Sequence, residues 1–213
     1  MKLKLLFCTT LFISALGFSQ YNQIGQDVFG DSLGELTGTS LSLNASGNRY
    51  AVYDTFPNGD DERGRIRVFE LQGDTWTQIG QDVFGFSGDG QSFGVVEMNA
   101  EGNRYVFGSP SYDINGIEEA GLVRIFELQS GQWIQLGQDL IGVANGDFFG
   151  STIDINALGN AIVVGATEIP RGTMPTGEGY AKAFKYEGNV WVQKGQQLDG
   201  NLVEDFFWRC SNN

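Results

Sequence analysis

The sequence predicts an all-β chain of about three tandem units, each of four antiparallel strands, on three observations. The segment "QIGQDVFG" at 23–30 returns unchanged at 78–85, then as "QLGQDLIG" at 135–142 and "QKGQQLDG" at 193–200. Its Gly-Gln pairs begin at 25, 80, 137 and 195, spacings of 55, 57 and 58 residues. Two further markers keep that register. One is "LNASGNRYAV" (43–52), "MNAEGNRYVF" (98–107) and "INALGNAIVV" (155–164). The other is "GRIRVFELQGDTW" (64–76), "GLVRIFELQSGQW" (121–133) and "GYAKAFKYEGNVW" (179–191). Helical periodicity is absent after residue 20, and 31 Gly with 16 Phe against 4 Pro suit short strands joined by tight turns.

The second unit shows the elements most clearly. Strand-length runs are expected at 93–99, 104–109, 121–128 and 133–140. The first turn, "NAEGN", places Gly at its centre, as a tight hairpin requires, and the third, "QSG", is as short. A longer loop joins the second and third strands: "TFPNGDDER" (55–63), "PSYDINGIEEA" (110–120) and "TEIPRGTMPTGE" (167–178). Four antiparallel strands repeated at this period, with fixed Trp and Gly, describe the blade of a β-propeller. The expected organisation is a partial β-propeller of about three four-stranded blades at 33–84, 85–141 and 142–199. Residues 21–32 repeat the fourth strand without the preceding three, which marks them as a closing strand for a last blade.

At the other end, "NGDFFGSTIDIN" (145–156) opens the third unit, whereas residues 205–210 read Asp-Phe-Phe-Trp-Arg-Cys and lose the alternation. Residues 200–213 are thus expected to be an aborted start of a fourth repeat, as a frameshift in a longer gene would leave. The alternative is a genuine terminus in a smaller or oligomeric assembly.

Composition narrows the function classes. Lys2 and Lys4 precede an apolar run at 5–18, too short for a comfortable membrane span, so residues 1–20 read as an export signal. Its removal leaves 11 basic against 26 acidic residues, net −15, in a chain that starts at −13. Such acidity disfavours a nucleic-acid partner and fits a secreted or cell-surface protein with no membrane span after cleavage. Cys8 lies in the signal and Cys210 in the tail, so the repeats hold no disulfide.

Phe93-Gly94 and Phe149-Gly150, each followed by a hairpin and then by "FGSP" (107–110) or "VGAT" (164–167), resemble the FG-GAP repeat of integrin-like propellers, over roughly 21–207. The first copy departs from it, with Gly38-Thr39 at the FG position and "VYDT" at 52–55. The resemblance implies a binding or adhesion module and raises calcium, which many such repeats hold in the first hairpin. The windows "SLNASGNRY" (42–50), "EMNAEGNRY" (97–105) and "DINALGNAI" (154–162) keep the central Gly but end in Tyr50, Tyr105 or Ile162 where a carboxylate should stand. They supply too few hard oxygen ligands, so they read as plain turns, and no metal or cofactor is expected.

Candidate ligand-binding residues follow from blade topology, which puts the loop between strands two and three on the same face as the loop between blades. That face gathers Asp60, Asp61, Glu62, Asp113, Glu118, Glu119 and Glu178, with Asp31, Asp89, Asp147 and Glu168 alongside. An acidic face suits a cation, a basic protein or a polyhydroxylated glycan, and equally a solvated rim. Trp76, Trp133 and Trp191 could form a sugar platform, but their fixed place fits packing better. The absence of His and of any Cys in the repeats excludes Ser-His and Cys-His catalysis, leaving paired carboxylates acting on a glycoside as the enzymatic alternative. No repeat concentrates a unique carboxylate constellation, so the expected function is non-catalytic binding or adhesion of a protein or glycan ligand. A non-functional fragment of a longer propeller protein is the other alternative.

Overall fold

The computed structural model describes residues 22–31, 34–55, 64–85, 94–167 and 178–200. The signal reading of 1–20 and all of the aborted repeat except Gly200 lie outside these residues. The described chain is all-β, in three antiparallel sheets. The first holds β1 (Leu36–Leu43), β2 (Arg49–Thr55), β3 (Arg65–Gln72), β4 (Thr75–Gln78) and β5 (Val83–Phe84). The second holds β6 (Val95–Met98), β7 (Arg104–Ser109), β8 (Leu122–Gln129), β9 (Gln132–Gln135) and β10 (Leu140–Ile141). The third holds β11 (Phe149–Ile155), β12 (Ala161–Ala166), β13 (Tyr180–Glu187) and β14 (Val190–Asp199). These are the three blades of a partial β-propeller. The fourth strand of the first two is interrupted, so β4 and β5 both pair with β3, and β9 and β10 both pair with β8.

Each first hairpin is tied by its own Asn. Asn99 Oδ1 accepts from the backbone N–H of Gly102, Asn103 and Arg104 at 3.0–3.1 Å, while its Nδ2 donates to Asn103 Oδ1 at 2.9 Å. Asn44 holds Asn48 and Arg49 in the same way, and Asn156 holds Asn160 and Ala161. The Asn oxygen of each window thus accepts from the turn's own backbone, an Asx-type arrangement that ties the hairpin.

Cross-strand register sorts each blade into two faces, because alternate residues point to opposite sides. One face carries the rows Ser42/Ala51/Val68, Glu97/Val106/Ile125 and Asp154/Val163/Ala183 in blades one, two and three. The other carries Leu43/Tyr50/Phe69, Met98/Tyr105/Phe126 and Ile155/Ile162/Phe184. The first kind, here the forward face, packs on the second kind, the back face, of the next blade. Ala51, Tyr53, Ile66 and Val68 form one core with Val96, Met98, Tyr105, Phe107, Phe126 and Trp133. Val106, Val123 and Ile125 form the other with Ile153, Ile155, Ile162, Val164, Phe184 and Trp191. The hydrophobic core therefore lies between blades rather than within them. Gly108 is required at the second junction, because a Cβ there would collide with the Gly150 carbonyl of the next blade.

A polar clasp closes the outer edge of each junction. Trp133 N–H donates to Gln81 Oε1 (2.9 Å), Gln81 Nε2 donates to the Trp133 carbonyl (2.8 Å), and the indole N–H donates to the Ile79 carbonyl (2.9 Å). Gln138 and the Leu136 carbonyl hold Trp191 in the same way at 2.9, 2.8 and 2.7 Å. The indole lies flat against the Gly preceding each Gln, so closely that a Cβ on Gly80 would sit 2.5 Å from Trp133 Cδ1. Gly80 and Gly137 have φ of +73° and +81°, and that left-handed turn is what breaks the predicted fourth strand at 136–139. Both Trp133 and Trp191 are buried, so the tryptophans of these two junctions are packing elements, as their spacing suggested.

Residues 22–31 make the same clasp on Trp76: Trp76 N–H to Gln26 Oε1 (2.9 Å), Gln26 Nε2 to the Trp76 carbonyl (2.8 Å) and indole N–H to the Ile24 carbonyl (2.9 Å). They hold the position of an outer strand, yet they belong to no strand among the described residues. The reason is that the identical octapeptide at 78–85 has β3 beside it, whereas among the described residues no third strand lies beside 23–30.

Replacing Gln81 by Ala should cost about 1–2 kcal/mol, because two backbone groups of the buried Trp133 lose their partners in a part-buried setting. Gln26→Ala, whose bonds to Trp76 are exposed, should cost less than about 1 kcal/mol. Paired urea melts of the two variants measure the difference.

Candidate functional site

The candidate ligand-binding acids fall into three groups. Asp60, Asp61 and Glu62 lie outside the described residues. Asp113, Glu118 and Glu119 stand in the loop between β7 and β8, and Glu178 precedes β13. The 113–119 loop is held by an Ile114–Ile117 bridge, by Glu119 N–H donating to Asp113 Oδ1 (2.6 Å), and by Glu118 N–H donating to Asn145 Oδ1 (3.1 Å). Gly146 N–H and Phe148 N–H return hydrogen bonds to the Glu118 and Glu119 carbonyls. The Asp113, Glu118 and Glu178 side chains are exposed. Asp147, placed by sequence on the solvated face, is instead buried. Its carboxylate accepts from the Val143 and Ala144 amides and from the Tyr180 hydroxyl.

A second polar constellation was not foreseen, and it contradicts the expectation that no repeat carries a unique one. Blade one buries Asp54, Arg65 and Arg67. Asp54 Oδ2 accepts from Arg67 Nε at 2.8 Å and Arg65 Nε at 3.3 Å. Arg65 also pairs with Glu35, whose carboxylate is fully buried, with Asp31 at 2.5 Å and with Asp82 at 3.2 Å. Both terminal nitrogens of Arg67 donate to the Phe29 carbonyl at 3.2 Å. The corresponding residues of blade two are Ser109 for Asp54 and Leu122 for Arg65, and blade three has Ala166 and Tyr180.

Electrostatics follow from that packing. Burial pushes the Asp54 carboxyl up, against the opposing pull of both guanidiniums, and its Oδ1 finds no hydrogen-bond partner among the described residues. Burial alone would lower Arg65, but its hydrogen bond to Asp31 and the charges of Glu35, Asp31 and Asp54 outweigh that and raise it. Asp31 is held below the usual carboxylate range by its hydrogen bond to Arg65. The cluster fastens Phe29, Asp31 and Glu35 to the ends of β2 and β3, supplying by charge what β5 obtains from β3 by backbone pairing. The sequence signal was available in the register: ionic residues stand where the other repeats place small, apolar or aromatic ones.

A cavity of about 550 Å³ lies between 23–28 and the back face of blade one, lined chiefly by Ile24, Val28, Leu41, Leu43, Tyr50 and Trp76. Tyr50 stacks on Phe69 (centroids 5.3 Å) and meets Trp76 edge-on (4.8 Å), as Tyr105 does with Phe126 (5.2 Å) and Trp133 (4.9 Å) inside the first junction. No group of three His, Cys, Asp or Glu side chains arranged to hold a metal occurs among the described residues. No helix among them is long and apolar enough to cross a membrane, which says nothing about strands.

No family model matches the chain, so the FG-GAP likeness rests on the residues quoted for it. No curated protein matches either. Among solved structures, the chain is similar to a candidate 6-phosphogluconolactonase from Bacteroides uniformis, at 14% identity and TM-score 0.49, over 84% of this chain and 46% of that one. It is also similar to a prolyl endopeptidase, at 12% identity and TM-score 0.46, over 76% of this chain and 22% of that one. The chain thus spans less than half the length of either neighbour.

Replacing Arg65 by Leu should destabilise the fold by about 3–5 kcal/mol, because Asp54 and Glu35 would keep buried charge with one cation gone. Adding Asp54→Ser, which completes the pair found in blade two, should recover much of that loss. Thermal melts of the single and double variants check the coupling.

Proposed function

We propose that this chain is a non-catalytic binding module, exported and working at or beyond the cell surface, that presents an acidic loop face to a protein or glycan ligand. The observation that carries the reading is the fixed display of exposed carboxylates at Asp113 and Glu118. Their loop is tied by its own backbone hydrogen bonds and by the neighbouring 143–148 segment, so little conformational entropy remains to be lost on binding. Glu178 enters β13 from the equivalent loop of the next blade. The export signal at 1–20 and the integrin-like FG-GAP resemblance of the repeats support the location and the class.

The chemistry of such a face selects cationic protein surfaces, whose attraction falls with salt, or glycans, whose hydroxyls donate to carboxylates. The variant Asp113→Asn/Glu118→Gln/Glu178→Gln removes three charges from exposed positions and should leave the melting temperature unchanged. It should weaken capture of a cationic probe protein, such as egg-white lysozyme, at least tenfold at low salt. Unchanged capture would place binding elsewhere, and turnover of a glycan by the parent chain would replace the binding reading with the carboxylate-enzyme one.

A further inference from the structure

Blade one ends in a back face that no blade covers among the described residues, and blade three ends in a forward face in the same condition. Leu41 and Leu43 are each 60% exposed on the first, and Val163 is 49% exposed on the second. The two faces correspond to the halves of a junction that the chain already builds twice. The back row Leu43/Tyr50/Phe69, in which Leu43 is exposed, Tyr50 half-buried and Phe69 buried, matches the buried row Met98/Tyr105/Phe126 nearly residue for residue, with stacking distances of 5.3 and 5.2 Å. That buried row is seated by Ala51 and Val68 of the preceding blade. The open forward row of blade three offers Val163 and Ala183 at the same two places, the same pair of residue types with positions exchanged. Packing that conserves volume is the kind that cores accept at least cost.

We propose that the back face of blade one is a docking site for blade three of a second copy of this chain, joined head to tail in the register of the two internal junctions. The partner's β14 then takes the place of residues 22–31, and the partner's Gly195-Gln196 takes the place of Gly25-Gln26 on Trp76. Gln26 is replaced by a Gln, so the clasp exchanges three hydrogen bonds for three of the same kind. The partner's Asp199 arrives at the register of Phe29, whose carbonyl Arg67 holds, and brings a carboxylate to that guanidinium. The exchange gives up the Asp31–Arg65 ion pair and gains burial of Leu41, Leu43 and Tyr50, which line the cavity in a single copy. Because the contact is heterologous, copies either close into a ring or extend into a filament. Each copy carries a formal charge of −13, so association strengthens as salt screens the repulsion.

The test is sedimentation velocity on the full chain and on two variants, Leu41→Asp and Val163→Asp, each at an exposed position on one of the two faces. Circular dichroism melts verify that both variants fold, with Leu43→Lys as the second back-face variant if Leu41→Asp does not. The wild-type chain should associate and each variant alone should stay monomeric. A mixture of Leu41→Asp with Val163→Asp should form a 1:1 dimer and nothing larger, since one intact back face then meets one intact forward face. In that dimer the 22–31 segment of one copy should become sensitive to protease. A wild-type monomer at every concentration and salt, association that survives either variant, or failure of the two variants to pair would each overturn the proposal.

Discussion

Everything outside the sheets' own hydrogen bonding depends on the contact between a Gly-Gln pair and the tryptophan of the next unit. A blade has little apolar material to bury within itself, since its two faces must each find a neighbour, and so stability in this chain is a property of junctions. Hydrophobic packing between flat faces is poorly directional and would tolerate sliding. The clasp removes that freedom at the outer edge: a glutamine can bond both backbone groups of the tryptophan at one relative position of the blades only. The glycine beside it must lack a Cβ for the indole to lie where its N–H reaches the preceding carbonyl. Near the inner turns, Ala45 and Ala100 N–H donate to the Ala100 and Ala157 carbonyls of the next blade at 3.1 and 3.3 Å, fixing the register a second time.

Blade one solves a different problem. Its clasp is supplied by a segment that joins no sheet among the described residues, and the far end of that segment must be fixed by other means. Arg65 and Arg67 do so, gathering Asp31, Glu35, Asp54 and the Phe29 carbonyl. Such an arrangement is costly in desolvation and is worth most as a determinant of position, since a guanidinium fork fixes its partners geometrically where an apolar contact would not. In blade two the equivalent strand, β8, carries Leu122 and Arg124 at these places, and Arg124 pairs with Asp139 at 2.7 Å. Among the described residues, blades two and three carry no counterpart of the Asp54–Arg65 pair.

The repeats were legible in the sequence because one junction is built repeatedly, and each copy must keep the groups that make it. The similar offsets of 50, 52 and 53 residues from Gln26 to Trp76, Gln81 to Trp133 and Gln138 to Trp191 contained the clasp, but spacing alone did not distinguish two markers within a unit from two that touch across units. The interruption of the fourth strand was not visible, since a glycine in a strand-like run reads as a weak point and gives its φ only once the indole is seen above it. The Asp54–Arg65–Arg67 cluster escaped because charge was read as surface, although Arg65 stands in register with Leu122 and Tyr180. Of the acidic face, Asp113 and Glu118 emerge exposed as their loop composition implied. Asp147 does not, because the Tyr180 hydroxyl and two backbone amides need an acceptor in the interior.

Native-state amide exchange at the three tryptophans tests the clasp as the element that orders the blades. The Trp133 and Trp191 amides, held by glutamines at covered junctions, should exchange with the slow core amides of β7 and β12, while the Trp76 amide, held by the unpaired 22–31 segment, should exchange far faster. Equal and rapid exchange at all three would contradict the account, since the glutamine contacts would then be too weak to set the position of one blade on the next.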